Sequence, residues 1–166
     1  LLATLGQLIA ALQRDAQRQQ TQLEVQRQQE ALREERQRLA SIIESTDLGT
    51  WEWNVQSGTT IYNQRWFELL GLKPQQTSSI ELWADLLHPD DLIQSKKILA
   101  QHFSQATPYY DSKFRMKHSK GHWVWIHAIG KVMTWTSDGQ PLLMFGIHSD
   151  VTEALNKEVE ILETRS

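Results

Sequence analysis

Cysteine is absent from this 166-residue chain, and proline is scarce at four residues. Without cysteine there is no disulfide framework, no thiolate metal site, no thiol nucleophile and no photochemistry through a cysteinyl adduct. A surplus of one charge sign is lacking too. The 17 Lys and Arg against 20 Asp and Glu give a formal net charge of −3, which carries no polyanion-binding signal, so nucleic acid is not an expected partner. No apolar run approaches the ~18 residues that a membrane span requires. No P-loop, G-x-S-x-G or H-E-x-x-H motif occurs, so nothing points to an enzyme active site in this stretch of chain. Tryptophan, by contrast, is plentiful. Trp51, Trp53, Trp66, Trp83, Trp123 and Trp125 all fall between residues 51 and 125, which places the expected core there.

Residues 1–46 contain one Gly, no Pro and mostly Gln, Arg, Glu, Leu and Ala, all good helix formers. Apolar residues recur at Leu5, Ile9, Leu12, Ala16 and Leu23, then at Val25, Leu32, Leu39 and Ile42/Ile43, with a break of phase near Leu23. Forty-odd residues of helix extend about 65 Å, more than a small domain needs, so a coiled coil and a homodimer through this helix are expected. Gln19 and Gln28/Gln29 near the seam make it weak or adjustable. Six arginines against four glutamates and one aspartate between Gln13 and Arg38 describe a solvated helix surface, not a basic arm. The opening LLATLGQLIAAL has no basic n-region, so it reads as an apolar dimer seam rather than a signal peptide. A start at Leu1 is expected to mark a fragment, cytoplasmic in location, of a protein whose membrane anchor, if it has one, precedes residue 1.

After Asp47 the pattern changes. TWEWNV (50–55) and TTIYN (59–63) alternate as strands around the turn QSG, a hairpin. QRWFELLGL (64–72) reads as a short helix stopped by Gly71, and ELWADLL as a shorter helical piece. HPDDLIQSKKILAQHFSQA (88–106) reads as a longer helix, with Pro89 in its first turn and Asp90 and Asp91 favouring its N-terminal dipole. Three strands follow at 109–118, 123–135 and 142–151; in the first, Tyr110, Ser112, Phe114 and Met116 share one face. The order β-β-α-α-α-β-β-β is that of an α+β fold, an antiparallel sheet with helices on one face. The expected organisation is a helix over 1–46, a domain over 47–151 and an outgoing helix over 152–166.

Four segments together carry a resemblance: GTWEWNVQSGTTIYNQRWFELLGL (49–72), LLHPDD (86–91), SKGHWVWI (119–126) and GQPLLMFGIHSDVTE (139–153). In order and spacing, over roughly residues 40–155, the chain resembles a PAS sensor domain with a C-terminal PAC motif. The resemblance implies a five-stranded antiparallel sheet whose inner face and helices can enclose a small ligand. It also implies an input or relay module of a histidine kinase or cyclic-di-GMP cyclase (a diguanylate cyclase), with an output domain C-terminal to this stretch.

For a ligand pocket the expected lining is Phe67, Leu70, Phe103, Phe114, Met116, Trp125 and Ile147. The cofactor stays unassigned, with none as the first expectation. Haem held through His102 is the one alternative with a named ligand, because some PAS domains hold haem through a histidine on the long helix; against it, His102 sits near a helix end and reads as a surface residue. Flavin is bound by some family members, but no residue pattern here demands it. His118, His122 and His127 invite a metal reading, yet no carboxylate lies at ligand spacing and they read as solvated turn histidines. Trp51/Trp53 and Trp123/Trp125 are i, i+2 pairs and read as core-filling aromatics, which leaves a pocket small or absent. His88 with Pro89, Asp90 and Asp91 reads as a helix start. Asp150 or Thr152 can cap the last helix, whose Val151, Leu155, Val159 and Leu162 form a continuing apolar seam, and in related PAS domains the matching pair ties the last strand to the output helix. Two functions follow: a sensory or relay module passing a signal through Asp150 and Thr152, or a ligand-free dimerisation or protein-interaction module.

Overall fold

A computed structural model describes residues 4–166; the first three residues of the opening apolar run lie outside the described residues. The chain divides into two units, Leu1–Thr46 and Asp47–Ser166.

The first unit is one helix, α1 (Leu5–Ser45). It starts at a capping box: Gln7 N–H donates to Thr4 Oγ1 at 3.1 Å and Thr4 N–H donates to Gln7 Oε1 at 2.9 Å. Its 41 residues extend about 60 Å. Not one of them is buried; Leu5, Ile9, Leu12, Leu23, Leu32, Leu39 and Ile42 all stand in solvent.

The second unit contains β1 (Gly49–Asn54), β2 (Thr59–Tyr62), α2 (Gln64–Leu69), β3 (Ser78–Ser79), α3 (Ile80–Leu86), α4 (Pro89–Phe103), β4 (Tyr110–Lys117), β5 (Trp123–Trp135), β6 (Pro141–Asp150) and α5 (Thr152–Arg165). The strands form one antiparallel sheet in the order β3-β2-β1-β6-β5-β4. It has six strands rather than five because Ser78–Ser79 adds to the edge, pairing with Thr59 and Thr60. The last strand in sequence thus sits at the centre, between β1 and β5.

Local chemistry sets the helix starts. Asn63 accepts from Trp66 N–H at 3.0 Å to cap α2, and the same oxygen accepts from Thr50 N–H at 2.8 Å, fixing helix to sheet. At α4, His88 Nδ1 accepts from Asp90 N–H at 3.2 Å and Pro89 occupies the first turn. Along β4 burial alternates strictly from Tyr110, with Phe114 and Met116 wholly inside.

Helix side chains Trp66 and Phe67 (α2), Trp83 (α3) and Leu99 (α4) pack onto Phe114, Met116, Ile126 and Met144 of the sheet. Fully burying one such side chain contributes about 1.5–3 kcal/mol. The expected core role of the four strand tryptophans holds only in part. Trp51 is buried and Trp53 packs half-buried against the core, whereas Trp123 and Trp125 stand on the outer face, Trp123 exposed beneath Lys117 and Trp125 beneath Arg115. In β5 the inward residues are the neighbours Val124 and Ile126.

Candidate functional site

A partly open cavity of about 30 Å3 lies at one end of the core. One wall is the β1–β2 ladder, where Trp51 lies opposite Tyr62 and Trp53 opposite Thr60. Trp83, Tyr110 and His148 also line it. The β1–β2 hairpin supplies this wall because strand alternation puts Thr60 and Tyr62 on one face.

Trp51 sets the shape of this end. Its indole lies against Gly130 and Gly146, where a side chain on either glycine would collide with the ring, and its Nε1 donates to Ile147 O at 3.2 Å. Across the cavity, the Ser95 hydroxyl and Tyr110 OH share a short hydrogen bond. Two indole groups near the wall have no such partner: Trp53 Nε1 and Trp66 Nε1 are buried and unpaired. An unpaired buried polar group costs about 1–3 kcal/mol, so these groups are a standing expense for the fold. Burial pushes the Tyr62 phenol up to about 12, and a hydrogen bond with the Thr60 side chain offsets this only in part. Burial also pushes His148 down to about 3. Its ring packs among Trp51, Trp66 and Phe114 at 6.2, 6.0 and 5.5 Å. Both groups are therefore neutral near pH 7, and no Asp, Glu, Lys or Arg lines the cavity.

This lining differs from the expected one. Phe67, Leu70, Phe114 and Met116 are buried in the packed core and do not border this cavity. Phe103 is half-buried and packs on Trp53 at 5.9 Å. Trp125 and Ile147 lie on the outer face, where the register of β5 and β6 puts them. None of the seven lines the cavity.

His102 also departs from the surface reading, being only 4% exposed. Its Nδ1 lies 3.0 Å from Thr107 O, and its Nε2 accepts from Val132 N–H at 3.0 Å. The β4–β5 ladder ends at Tyr110 and Gly130, which leaves Val132 without a partner in β4. His102 takes the place of that partner. With both ring nitrogens engaged by backbone it has none to offer a haem iron, and a haem or flavin is many times larger than the cavity. The residues present fit neither group.

The other histidines separate. His118 and His122 stack at 4.4 Å across the β4–β5 turn, whereas His127 pairs with Asp111 at 2.6 Å on the outer face. Desolvation, then His122 and Lys120, hold His118 below its usual value.

A second locus lies where β6 ends. Asp150 Oδ1 accepts from Thr152 N–H at 2.9 Å, in the manner of a turn cap. Thr152 itself does not cap α5. Its Oγ1 turns back to the sheet and accepts from the Trp125 N–H at 2.9 Å, while Val151 N–H donates to Trp125 O at 2.9 Å. Two bonds thus bind the start of α5 to one residue of β5. That residue is tied onward: Arg115 lies over the Trp125 ring at 5.2 Å and makes a two-pronged bridge to Asp91 of α4 at 2.8 and 2.9 Å. Asp91 Oδ2 also accepts from the Arg115 N–H at 2.8 Å. The Arg115 hydrogen bond holds the Asp91 carboxyl below the usual range. The chain of contacts from α4 to α5 was not legible in the sequence beyond its last members, because Asp91 and Arg115 are 24 residues apart.

The family model described as "PAS fold" matches residues 59–148. The chain is 29% identical over 125 residues to an uncharacterized protein of Sinorhizobium fredii, and 22% identical over 117 residues to a probable diguanylate cyclase, DgcE, of Escherichia coli. Those matches cover 75% and 70% of this chain but only 15% and 10% of the two relatives' lengths. Among solved structures, it is similar to a sensory box histidine kinase/response regulator from Burkholderia thailandensis, with a TM-score of 0.68 and 24% identity, over 77% of this chain and 95% of that one. It is likewise similar to the N-terminal domain of a diguanylate cyclase with a PAS/PAC sensor from Marinobacter aquaeolei, with a TM-score of 0.55 and 24% identity, over 64% of this chain and 97% of that one. Among the described residues, no helix is long and apolar enough to cross a membrane.

Proposed function

Because the chain belongs to the PAS-fold family, we propose that it is the sensory or relay module of a larger bacterial signalling protein, and that it passes its signal from the sheet to α5. The observation that carries this reading is the junction at Trp125. The first residue of α5 is bonded to the backbone of β5, so a shift of β5 or β6 displaces the start of the helix rather than being lost in a loose linker. The outgoing helix leaves Val159 and Leu162 exposed on one side, which supports a continuing helical partner. A two-state coiled coil needs only a small differential free energy at such a point to change its populations. The relatives named as a diguanylate cyclase and a histidine kinase support one of these two activities as the output of the full-length protein. The exposed apolar residues of α1 support dimerisation through that helix, and the formal net charge of −3 gives no support to a nucleic-acid partner.

The test is output in the full-length protein. Thr152→Val and Asp150→Ala should keep the domain folded and uncouple output from input; normal signalling by both variants would sink the proposal. A second reading, a ligand-free dimerisation module, is favoured by the small size of the cavity. Native mass and sedimentation of a shortened chain starting at Leu39 discriminate: the sensory reading expects the shortened chain to be less dimeric, through loss of α1, and still competent to bind a small ligand.

A further inference from the structure

We propose that α1 pairs in parallel with a second copy of itself through either of two apolar faces on opposite sides of the helix, one over residues 5–23 and one over residues 25–43, and that only one face is engaged at a time. This rests on the sensory or relay reading and deepens it, because it names the two states between which a signal would move the dimer. The first face is Leu5, Ile9, Leu12, Ala16 and Leu23, at steps of four, three, four and seven. Such steps return to one side of a helix with about 3.6 residues per turn. The second is Val25, Leu32, Leu39 and Ile43, at steps of seven, seven and four. From Leu23 to Val25 is two residues, about 200° around the axis, so the apolar stripe changes sides there. A break in the helix would realign the two stripes, but α1 runs as one unbroken helix from Leu5 to Ser45. Supercoiling moves a seam by only about 20° per heptad, too little to bring the second face round within this helix. Both faces stand in solvent, Leu12 being 69% exposed and Leu32 51%.

The occupant is a second copy because heptad spacing fits a helix of the same pitch, and because the first face meets its own copy without penalty. Arg14 and Arg18 lie two residues beyond Leu12 and Ala16, on the far side of the helix, and Asp15 sits at the edge of the stripe. Identical faces therefore bring no like charges together. Gln19, the polar member of the stripe, lies opposite its own copy in a parallel, in-register pair, where each amide both donates and accepts. An antiparallel pair centred on the same stripe sets Gln19 against Ile9 instead. The second face is costlier. Arg36 lies four residues after Leu32 and three before Leu39, inside that stripe, so pairing there brings two guanidinium groups together. Pairing through the first face is the resting state.

The chain has no cysteine, so introduced thiols report pairing without background. In the full chain under mild oxidation, Leu12→Cys and Leu32→Cys should each give a disulfide-linked dimer, with the greater yield for Leu12→Cys. Closure needs Cβ atoms within about 4.5 Å, so only an engaged face can close. The variant carrying both substitutions should give dimers with one disulfide and two free thiols per pair, counted by mass after alkylation. Two disulfides per pair show one continuous seam and overturn the proposal. Covalent species beyond the dimer show each face held by a different neighbour, and overturn it too. Absence of any cross-link in both Leu12→Cys and Ala16→Cys, which share a face, removes the first seam and the proposal with it. Adding Arg36→Leu to the double variant should raise the share linked at position 32 by about threefold or more, since a leucine replaces a charge in that seam. An unchanged share overturns the pairing assigned to the second face. Failure here with Thr152→Val still uncoupling output removes the two faces and leaves the relay reading standing; exclusive cross-links with Thr152→Val signalling normally do the reverse.

Discussion

The Trp125 backbone N–H donates to the Thr152 side chain at 2.9 Å, across 27 residues of sequence. The last helix is therefore anchored by a side chain that points backward into the sheet. Thr152→Ser should keep this anchor and Thr152→Val should lose it, at about 0.5–1.5 kcal/mol of local stability. Hydrogen exchange at Trp125 and through the first turn of α5 checks this. Equal exchange in the two variants would show that the bond does not hold the helix start.

The Asp91–Arg115 bridge predicts a charge-dependent tie between α4 and β4. Asp91→Asn keeps the size but weakens three hydrogen bonds to Arg115, and should cost about 1–3 kcal/mol in denaturant unfolding. Arg115→Lys should not rescue it, since an ammonium cannot make the two-pronged contact or stack equally on Trp125. Because the folded carboxyl is held low, the stabilisation is present above the ordinary Asp range and is lost as pH falls through the depressed value.

His148 predicts a different pH dependence. The folded protein keeps it neutral down to about 3, while the unfolded chain protonates it near the ordinary value of about 6.5. Between those values the unfolded state binds the extra proton, so stability is complete above the ordinary value and declines as pH falls. The loss at pH 5 is about 2 kcal/mol, and His148→Leu should flatten that slope. Urea midpoints at pH 7 and pH 5 for both proteins measure it; parallel slopes would contradict the buried, neutral assignment.

Trp51 and Gly146 predict a packing coupling. Gly146→Ala drives a methyl group into the Trp51 ring and the Ile129 carbonyl, and should destabilise by about 1–3 kcal/mol. Trp51→Phe should recover part of that cost and no more, because the backbone carbonyl remains. A double-mutant cycle by thermal unfolding reads the coupling, and strict additivity would argue against the contact.

Much of this fold is legible in the residues themselves. The alternation from Tyr110 to Lys117 reads as a strand with one buried face, and His88-Pro89-Asp90-Asp91 reads better as a helix start than as an acid–base group, and the structure has both elements there. The site is less legible. In Trp123-Val124-Trp125-Ile126 both faces are apolar, so alternation fixes which residues share a face but not which face meets the core. His102 reads as exposed because its reason for burial, the unpaired Val132 N–H, is 30 residues away. The cavity escaped for the same reason: its wall depends on register, Trp53 opposite Thr60, and on where Phe114 and Met116 already fill the interior.

The sequence by itself determined the order of the helices and of the five main strands, the long exposed helix and the family, since each follows from local periodicity, capping and motif spacing. Tertiary structure alone decided which aromatics turn inward, which histidine is buried, that Thr152 bonds to the sheet instead of capping its own helix, and where space remains. Those outcomes depend on contacts between residues distant in the chain, and packing, unlike periodicity, is settled only when every neighbour is in place.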